Sequence, residues 1–295
     1  MASLRPVRKR RSNTLQSFRR TALKRFLRHH LAVSGAVAVI ILIFLALFAH
    51  LLAPHDPNHI DILSAREAPT SGHPLGRDVV GRDVLSRVIY GTRISLSVGL
   101  VAVSIYVIIG TILGSIAGYF GGWVDVIISR IIDAVLSFPV LMLILVIVGT
   151  VGPSIFNIMI VLGLLGWPEV ARIVRGQTLS VREELYILSM QAVGASPRRI
   201  ILGDILPNIL SPIIVNATFG VARAILIEAG LSFLGMGVQP PTASWGNMLN
   251  DAQSLTILQS MPWMWVPPGL MIFLATISIN FIGDGLRDAL DPKLN

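Results

Sequence analysis

The sequence predicts an all-α membrane protein with six transmembrane helices, and three observations carry that prediction. Apolar residues make up 53% of the 295 residues and charged residues only 14%, against roughly 25% charged in an ordinary soluble domain. Mean hydropathy is +0.73. Six runs approach or exceed the roughly 20 apolar residues that a membrane helix needs: Leu31–Ala53, Ile94–Gly118, Ile132–Val151, Ile155–Ile173, Ile209–Leu231 and Val266–Ile282.

Residues 1–30 form a basic tail: ten of the 24 Lys and Arg fall in the first 28 residues, with no acid among them. The net charge of +8 raises the question of nucleic acid. Basic residues massed beside a hydrophobic span read instead as a topology signal that keeps the tail in the cytoplasm against anionic lipid headgroups, with no nucleic acid partner. Leu31–Ala53 is longer than the ~7–15-residue apolar core of a signal peptide and lacks a small-x-small cleavage site, so it reads as a retained first span. There is no cysteine, which excludes disulfides and thiolate metal sites and leaves the compartment open.

Residues 54–93 read as an extracytoplasmic linker. It repeats itself once, Gly76-Arg77-Asp78-Val79 and Gly81-Arg82-Asp83-Val84. His55 and His59 flank Asp56, but Pro57 breaks the helix that would put both imidazoles on one face, so a loop without metal is expected. In the second span Gly110, Gly114 and Gly118 make one small-residue stripe, a packing face inside the chain or against a sister subunit.

With a cytoplasmic N-terminus, six crossings return the C-terminus to the cytoplasm. The loops agree: Gly235–Met264, outside, has no Lys or Arg, whereas Arg172–Arg199, inside, has five Arg. Pro54–Arg93, outside, fits less well, with five Arg matched by five acids. Trp245, Trp263 and Trp265 suit an interfacial aromatic belt or a contact with a receptor.

Ionisable residues within spans are functional candidates by default. Glu228 and Arg223 in the fifth span are candidates for the pathway or its gate, the other reading of Glu228 being a structural hydrogen bond or ion pair. Asp133 is a third candidate, although a pair with Arg130 at i−3 accounts for it more simply, as pairing does for Asp284 with Arg287.

Between spans four and five, Ser180-Val181-Arg182-Glu183 has capping-box form and predicts a helix from Val181 to a stop at Gly194. Ser196-Pro197 then restarts a helix. At 100° per residue Val181, Leu185, Leu188 and Ala192 share one stripe and Tyr186, Met190 and Val193 another, on nearly opposite sides. Two apolar faces ask for two covers, the bundle and a partner protein. Burial of the whole hairpin 180–207 under its own bundle is the alternative.

The stretch Tyr186–Asn208, with Gly194 and Leu206-Pro207 in register, resembles the "EAA" loop of binding-protein-dependent ABC importer permeases. Leu188-Ser189-Met190 stands where that pattern has Glu-Ala-Ala, and Asp204 where Ile is usual. His73–Arg87, Tyr90–Ser95, Gly118–Asp125, Glu228–Gly235, Gln239–Met248 and Gly283–Pro292 are similar to the "C" member of the paired permeases for dipeptides, oligopeptides and nickel. The resemblance implies a type-1 importer permease fold over 94–290 and import of di- or oligopeptides, with nickel chelates, glutathione or another small solute as the alternative. It implies a "B"-type permease partner, one or two cytoplasmic ATPase subunits that hold ATP-Mg, and an extracytoplasmic binding protein. The coupling helix that docks on the ATPase would be carried by Tyr186, Leu188, Ser189, Met190, Gly194, Ala195, Ser196 and Pro197.

No Gly-x4-Gly-Lys-Ser/Thr phosphate loop and no nucleophile or zinc motif occurs, so neither ATP chemistry nor any other catalysis, and no cofactor, is expected on this chain. A self-sufficient secondary transporter would need inverted repeats, and an intramembrane enzyme a paired acid and base in the spans. The sequence offers neither.

Overall fold

Backbone polar groups inside a bilayer have no water to bond, so they must be satisfied within helices or closed barrels. The computed structural model, which describes residues 23–290, is helical, with no strand among the described residues. Its helices include α1 (His30–Leu47), α2 (Val84–Phe120), α3 (Gly122–Leu136), α4 (Val140–Val151), α5 (Ile155–Arg182), α6 (Leu185–Ala192), α7 (Pro197–Phe233), α8 (Trp245–Asn250) and α9 (Pro262–Leu290), besides shorter turns such as Ala49–Leu52 and Leu255–Ser260. Most of the basic tail, residues 1–22, and Asp291-Pro292 of the last motif lie outside the described residues.

Five helices (α1, α2, α5, α7, α9) are long and apolar enough to cross a membrane, and α3 with α4 makes a sixth if the bent pair counts as one span. The straight third span expected over Ile132–Val151 is corrected: the chain turns by 81° between α3 and α4. Pro139 is the cause, because it has no N–H to continue the helix and drives Phe138 toward extended backbone. The 12 residues of α4 reach only about 18 Å, short of a ~30 Å hydrocarbon core.

The second span begins at Val84, ten residues earlier than its apolar run, because Asp83 caps it by accepting from the Ser86 N–H at 2.8 Å. The preceding segment 54–83 is no loose linker. In its internal echo, Gly76 and Gly81 both take positive φ, while Asp78 and Asp83 gather donors. Gly81 is forced, since a Cβ there would meet the Asp61 carbonyl at 1.9 Å.

α2 packs along α5 through the glycine stripe. A Cβ at Gly114 would sit 2.5 Å from the Ala171 carbonyl, and Gly110 and Gly118 face Val170 and Thr178 in the same way. The stripe therefore serves packing inside the chain. At one end of this pair Arg182 donates to the Gly118 and Tyr119 carbonyls at 3.3 and 3.2 Å, closing the last turn of α2. That end, which also bears α6, is called the α6 end; the other, bearing 54–83 and α8, is the loop end.

Candidate functional site

The predicted hairpin is present with different boundaries. No helix begins at Ser180: α5 runs through the capping-box sequence to Arg182, held by the Thr178 contact with Gly118 and by Arg182 on α2. α6 starts at Leu185, after Glu184, without a side-chain cap. It stops where the sequence said it would. Gly194 has φ +80, the Ala195 N–H donates to the Met190 carbonyl and the Gly194 N–H to the Gln191 carbonyl, both at 3.0 Å. This is a Schellman ending, and Ala195 and Met190 pack in one apolar cluster behind it. Ser196 holds the N-cap position of the next helix with Pro197 first inside it, although its hydroxyl makes no capping bond.

The restarted helix is not a separate second arm. It runs on as α7, passing through a π-helical segment, Ile201–Ile205. Pro207 explains the widening: it lacks the N–H that an α-helix would direct at Gly203, and its ring would strike that carbonyl. Asn208 straddles the joint, donating to the Tyr186 hydroxyl at 3.0 Å and the Asp204 carbonyl at 2.6 Å. It lay inside the quoted motif, yet its side chain as a tie between α6 and α7 escaped the sequence reading.

The two-stripe assignment also needs correcting. α6 meets the bundle through Ile187, which is fully buried, and half-buried Met190 one turn on, against Val174, Ile200 and Ile205. Ile187 belonged to neither expected stripe, because counting the helix from Val181 attached the last turn of α5 to α6. The hairpin is not buried beneath its own bundle either. Leu185 and Val193 are 81% and 83% exposed, Leu188 and Tyr186 remain at 42% and 40%, and Ser189, Gln191 and Ala192 are exposed beside them. An apolar helical face thus stands open at the α6 end.

The charged candidates separate into two groups. Arg223 is ion-paired with Glu169 across α7 and α5, with both side chains about half exposed. Asp133 bonds Arg172 at 2.8 Å, not Arg130, because α5 brings its guanidinium across from another helix. Arg175 makes a bidentate pair with Asp125. The ion-paired residues Glu169, Arg172 and Arg175 stand three residues apart on α5, so a charged strip descends it toward the α6 end. Among the described residues no ion pair joins Asp284 to Arg287; Asp288 instead lies 3.7 Å from His29.

Glu228 is elsewhere. Its carboxylate is wholly buried and accepts from the hydroxyls of Ser232 at 2.7 Å and Ser95 at 3.3 Å. Ser95 in turn accepts from the Trp245 N–H and Ser232 from the Val238 N–H. Glu228 therefore pins α7 to α2 and to the segment before α8, and it does not share a pocket with Arg223. Ser244 and Asn247 form the reciprocal capping box that starts α8. Trp245 is fully buried, donating to the Val88 carbonyl at 3.2 Å. It belongs to the core and not to an interfacial belt.

The loop end holds a buried charge network. Asp78 accepts from Arg82 Nε at 2.6 Å, from two backbone N–H groups, and lies 3.5 Å from Arg87 Nε. His55 meets His73 and Asp83 rather than His59, with ligand atoms all within 4.8 Å of one another. Such a set has metal-ligand chemistry, but His73 is already engaged on both nitrogens, by Asp83 at 2.8 Å and Arg77 at 2.9 Å. The hydrogen-bonded chain is Asp83–His73–Arg77, while His55 stacks on His73 and bonds the Gly72 carbonyl through Nε2 at 2.9 Å.

Comparison with known proteins accords with this layout. Residues 110–295 match the family described as binding-protein-dependent transport system inner membrane component, and residues 17–69 match the N-terminal TM domain of oligopeptide transport permease C. The dipeptide transport system permease protein of Alkalihalophilus pseudofirmus is 44% identical over 93% of this chain and 90% of its own length. The glutathione transport system permease protein of Escherichia coli is 43% identical over 92% and 89%. A Brucella ovis protein named as a peptide permease is 42% identical over 91% and 89%.

Proposed function

This chain belongs to the family of binding-protein-dependent transport system inner membrane components, a multi-pass permease of the ABC transporter class, and from that premise we propose that it imports di- or oligopeptides. In this reading it forms half of a translocation path with a second, "B"-type permease. One or two cytoplasmic ATPase subunits hydrolyse ATP-Mg, and an extracytoplasmic binding protein delivers the substrate. Both termini and α6 face the cytoplasm. Glutathione, itself a peptide, suits the same machinery.

The observation that carries the coupling role is the open apolar face of α6, with Leu185 and Val193 more than four-fifths exposed. A short helix with its outer face apolar and its inner face held by Ile187 and Met190 has a free side for a partner. Helix-in-groove docking on the ATPase fits it. Tyr186, Leu188, Ser189, Met190 and the Gly194–Pro197 turn then form one rigid lever. Its continuity with α7 through Ser196-Pro197 passes motion into a span that also carries Arg223 and Glu228. Alternating access follows if the ATPase binds this lever differently in its two nucleotide states. The divergence of Leu188-Ser189-Met190 from Glu-Ala-Ala places the weight of docking on apolar contact.

The test is copurification in mild detergent. Leu188→Asp puts a charge on the half-exposed face and away from Ile187, so the permease pair should still form while recovery of the ATPase falls at least tenfold. Undiminished ATPase recovery and transport would sink the coupling assignment.

A further inference from the structure

A charge pair half open to the surface at the middle of a membrane bundle needs an explanation, because lipid offers it nothing. Glu169 lies at the middle of α5 and Arg223 near the middle of the α7 stretch Leu206–Phe233. Their side chains are 47% and 57% exposed. They line the same pocket, a cavity of about 120 Å³, as Ile144, Leu162 and Ile227. Asn216, two turns from Arg223 and so on the same face of α7, and Tyr106 from α2 complete its polar side.

The combination is specific. Ligand sites are mostly apolar with a few placed polar groups, and here the polar side chains are one anion, one cation, one amide and the Tyr106 phenol. The pair is neutral as a whole, so it favours neither a net anion nor a net cation. A ligand carrying both charges can exchange with it, ammonium onto Glu169 and carboxylate onto Arg223, so that each ion pair broken is replaced by another. Ile144, Leu162 and Ile227 give the same cavity apolar walls against which an aliphatic side chain can pack. We propose that this pocket is a transport subsite for a short zwitterionic peptide, whose ammonium meets Glu169, whose carboxylate meets Arg223 and whose apolar side chain enters the space beside Ile227. The inference rests on the peptide-import reading above and adds to it a place on this chain where specificity is exerted.

The experiment uses the complete transporter with its binding protein in proteoliposomes, measuring ATP-driven uptake of a leucine-containing and a glycine-only dipeptide. Ile227→Trp fills the pocket and should lower the leucine-to-glycine uptake ratio about tenfold, the discrimination expected from burying one aliphatic side chain. Arg223→Gln should raise KM for both peptides about tenfold, with Arg223→Lys recovering part of the loss. The ratio is internal to each preparation, so partial misfolding does not imitate it. If Ile227→Trp fails to assemble, the Lys-against-Gln comparison at Arg223 decides. An unchanged ratio in Ile227→Trp, or an unchanged KM in Arg223→Gln, overturns the subsite while leaving peptide import standing. Uptake of neither peptide by the unmodified transporter overturns the import reading and the subsite with it.

Discussion

The two ends of the bundle are finished in opposite ways. At the loop end, polar groups are taken out of water and then paired: Asp78 with Arg82 and Arg87, Asp83 with Ser86 and His73, Glu228 with two serines, Trp245 with a backbone carbonyl. At the α6 end, fully buried Ile187 and half-buried Met190 fasten a helix whose Leu185, Leu188 and neighbouring Val193 stand in the open. Buried charge is expensive unless its partners are in place, and at the loop end Asp78, Asp83 and Glu228 have theirs. Exposed Leu and Val at a helix surface gain only when something covers them, which is why the proposed docking is placed on α6. The difference separates paired, buried charge at one end from an uncovered helical face at the other.

The comparison can be broken most forcefully at Asp78. Asp78→Ala leaves the guanidiniums of Arg82 and Arg87, 9% and 3% exposed, without their carboxylate, and should cost about 3–5 kcal/mol. Thermal unfolding of the purified permease in detergent measures this. A loss under about 1 kcal/mol would mean that water reaches the network and that the loop end is not self-sufficient.

Ile187→Ala removes the one fully buried anchor of α6, leaving half-buried Met190 and the Asn208–Tyr186 bond, and should cost about 2–4 kcal/mol, felt locally. Limited proteolysis should then cut between Arg182 and Ser196 at least tenfold faster, while the midpoint of global unfolding moves little. Unchanged cleavage would show that Met190 and the Asn208–Tyr186 bond hold α6 without Ile187.

The smallest effect is a pH dependence at the loop end. Burial, and then the negative charge of Asp78, push the Asp251 carboxyl above the ordinary carboxylate range, against the pull of Arg82, Arg87 and Arg66. A folded-state value above the unfolded one means that the folded protein binds the proton more tightly. Asp251 therefore favours folding at acid pH, and that contribution fades as pH rises through its raised value. Asp251→Asn should flatten this part of the stability–pH profile, above the ordinary aspartate range. A profile with the same slope in both proteins would show that Asp251 is not the group responsible.

What the sequence made legible follows from where its signals act. The bilayer demands apolar length and satisfied backbone, so most spans could be read directly, as could the glycine stripe that sets α2 against α5. Gly194 was legible because a left-handed helix ending is a one-residue requirement. Pro139 carried the signal for the broken third span, but the apolar run around it reads as one span by hydropathy alone. The capping box at Ser180 misled because it is a local signal, overruled by packing of Thr178 on Gly118 and of Arg182 on the end of α2. Asp133 was matched to Arg130 because sequence shows only neighbours; its partner Arg172 stands 39 residues away. The pairing of Glu169 with Arg223, and the burial of Trp245, likewise depend on which helices meet.

The central claim is that the open face of α6 is covered by the ATPase, and the absence of cysteine from the chain makes it directly measurable. A single thiol introduced as Val193→Cys, with Leu63→Cys at the loop end as control, can be labelled in membrane vesicles with and without the ATPase subunit. Both positions are highly exposed in the chain alone, at 83% and 100%. The account predicts that the ATPase protects position 193 at least tenfold and leaves position 63 unchanged. Equal labelling of position 193 in both preparations would contradict it.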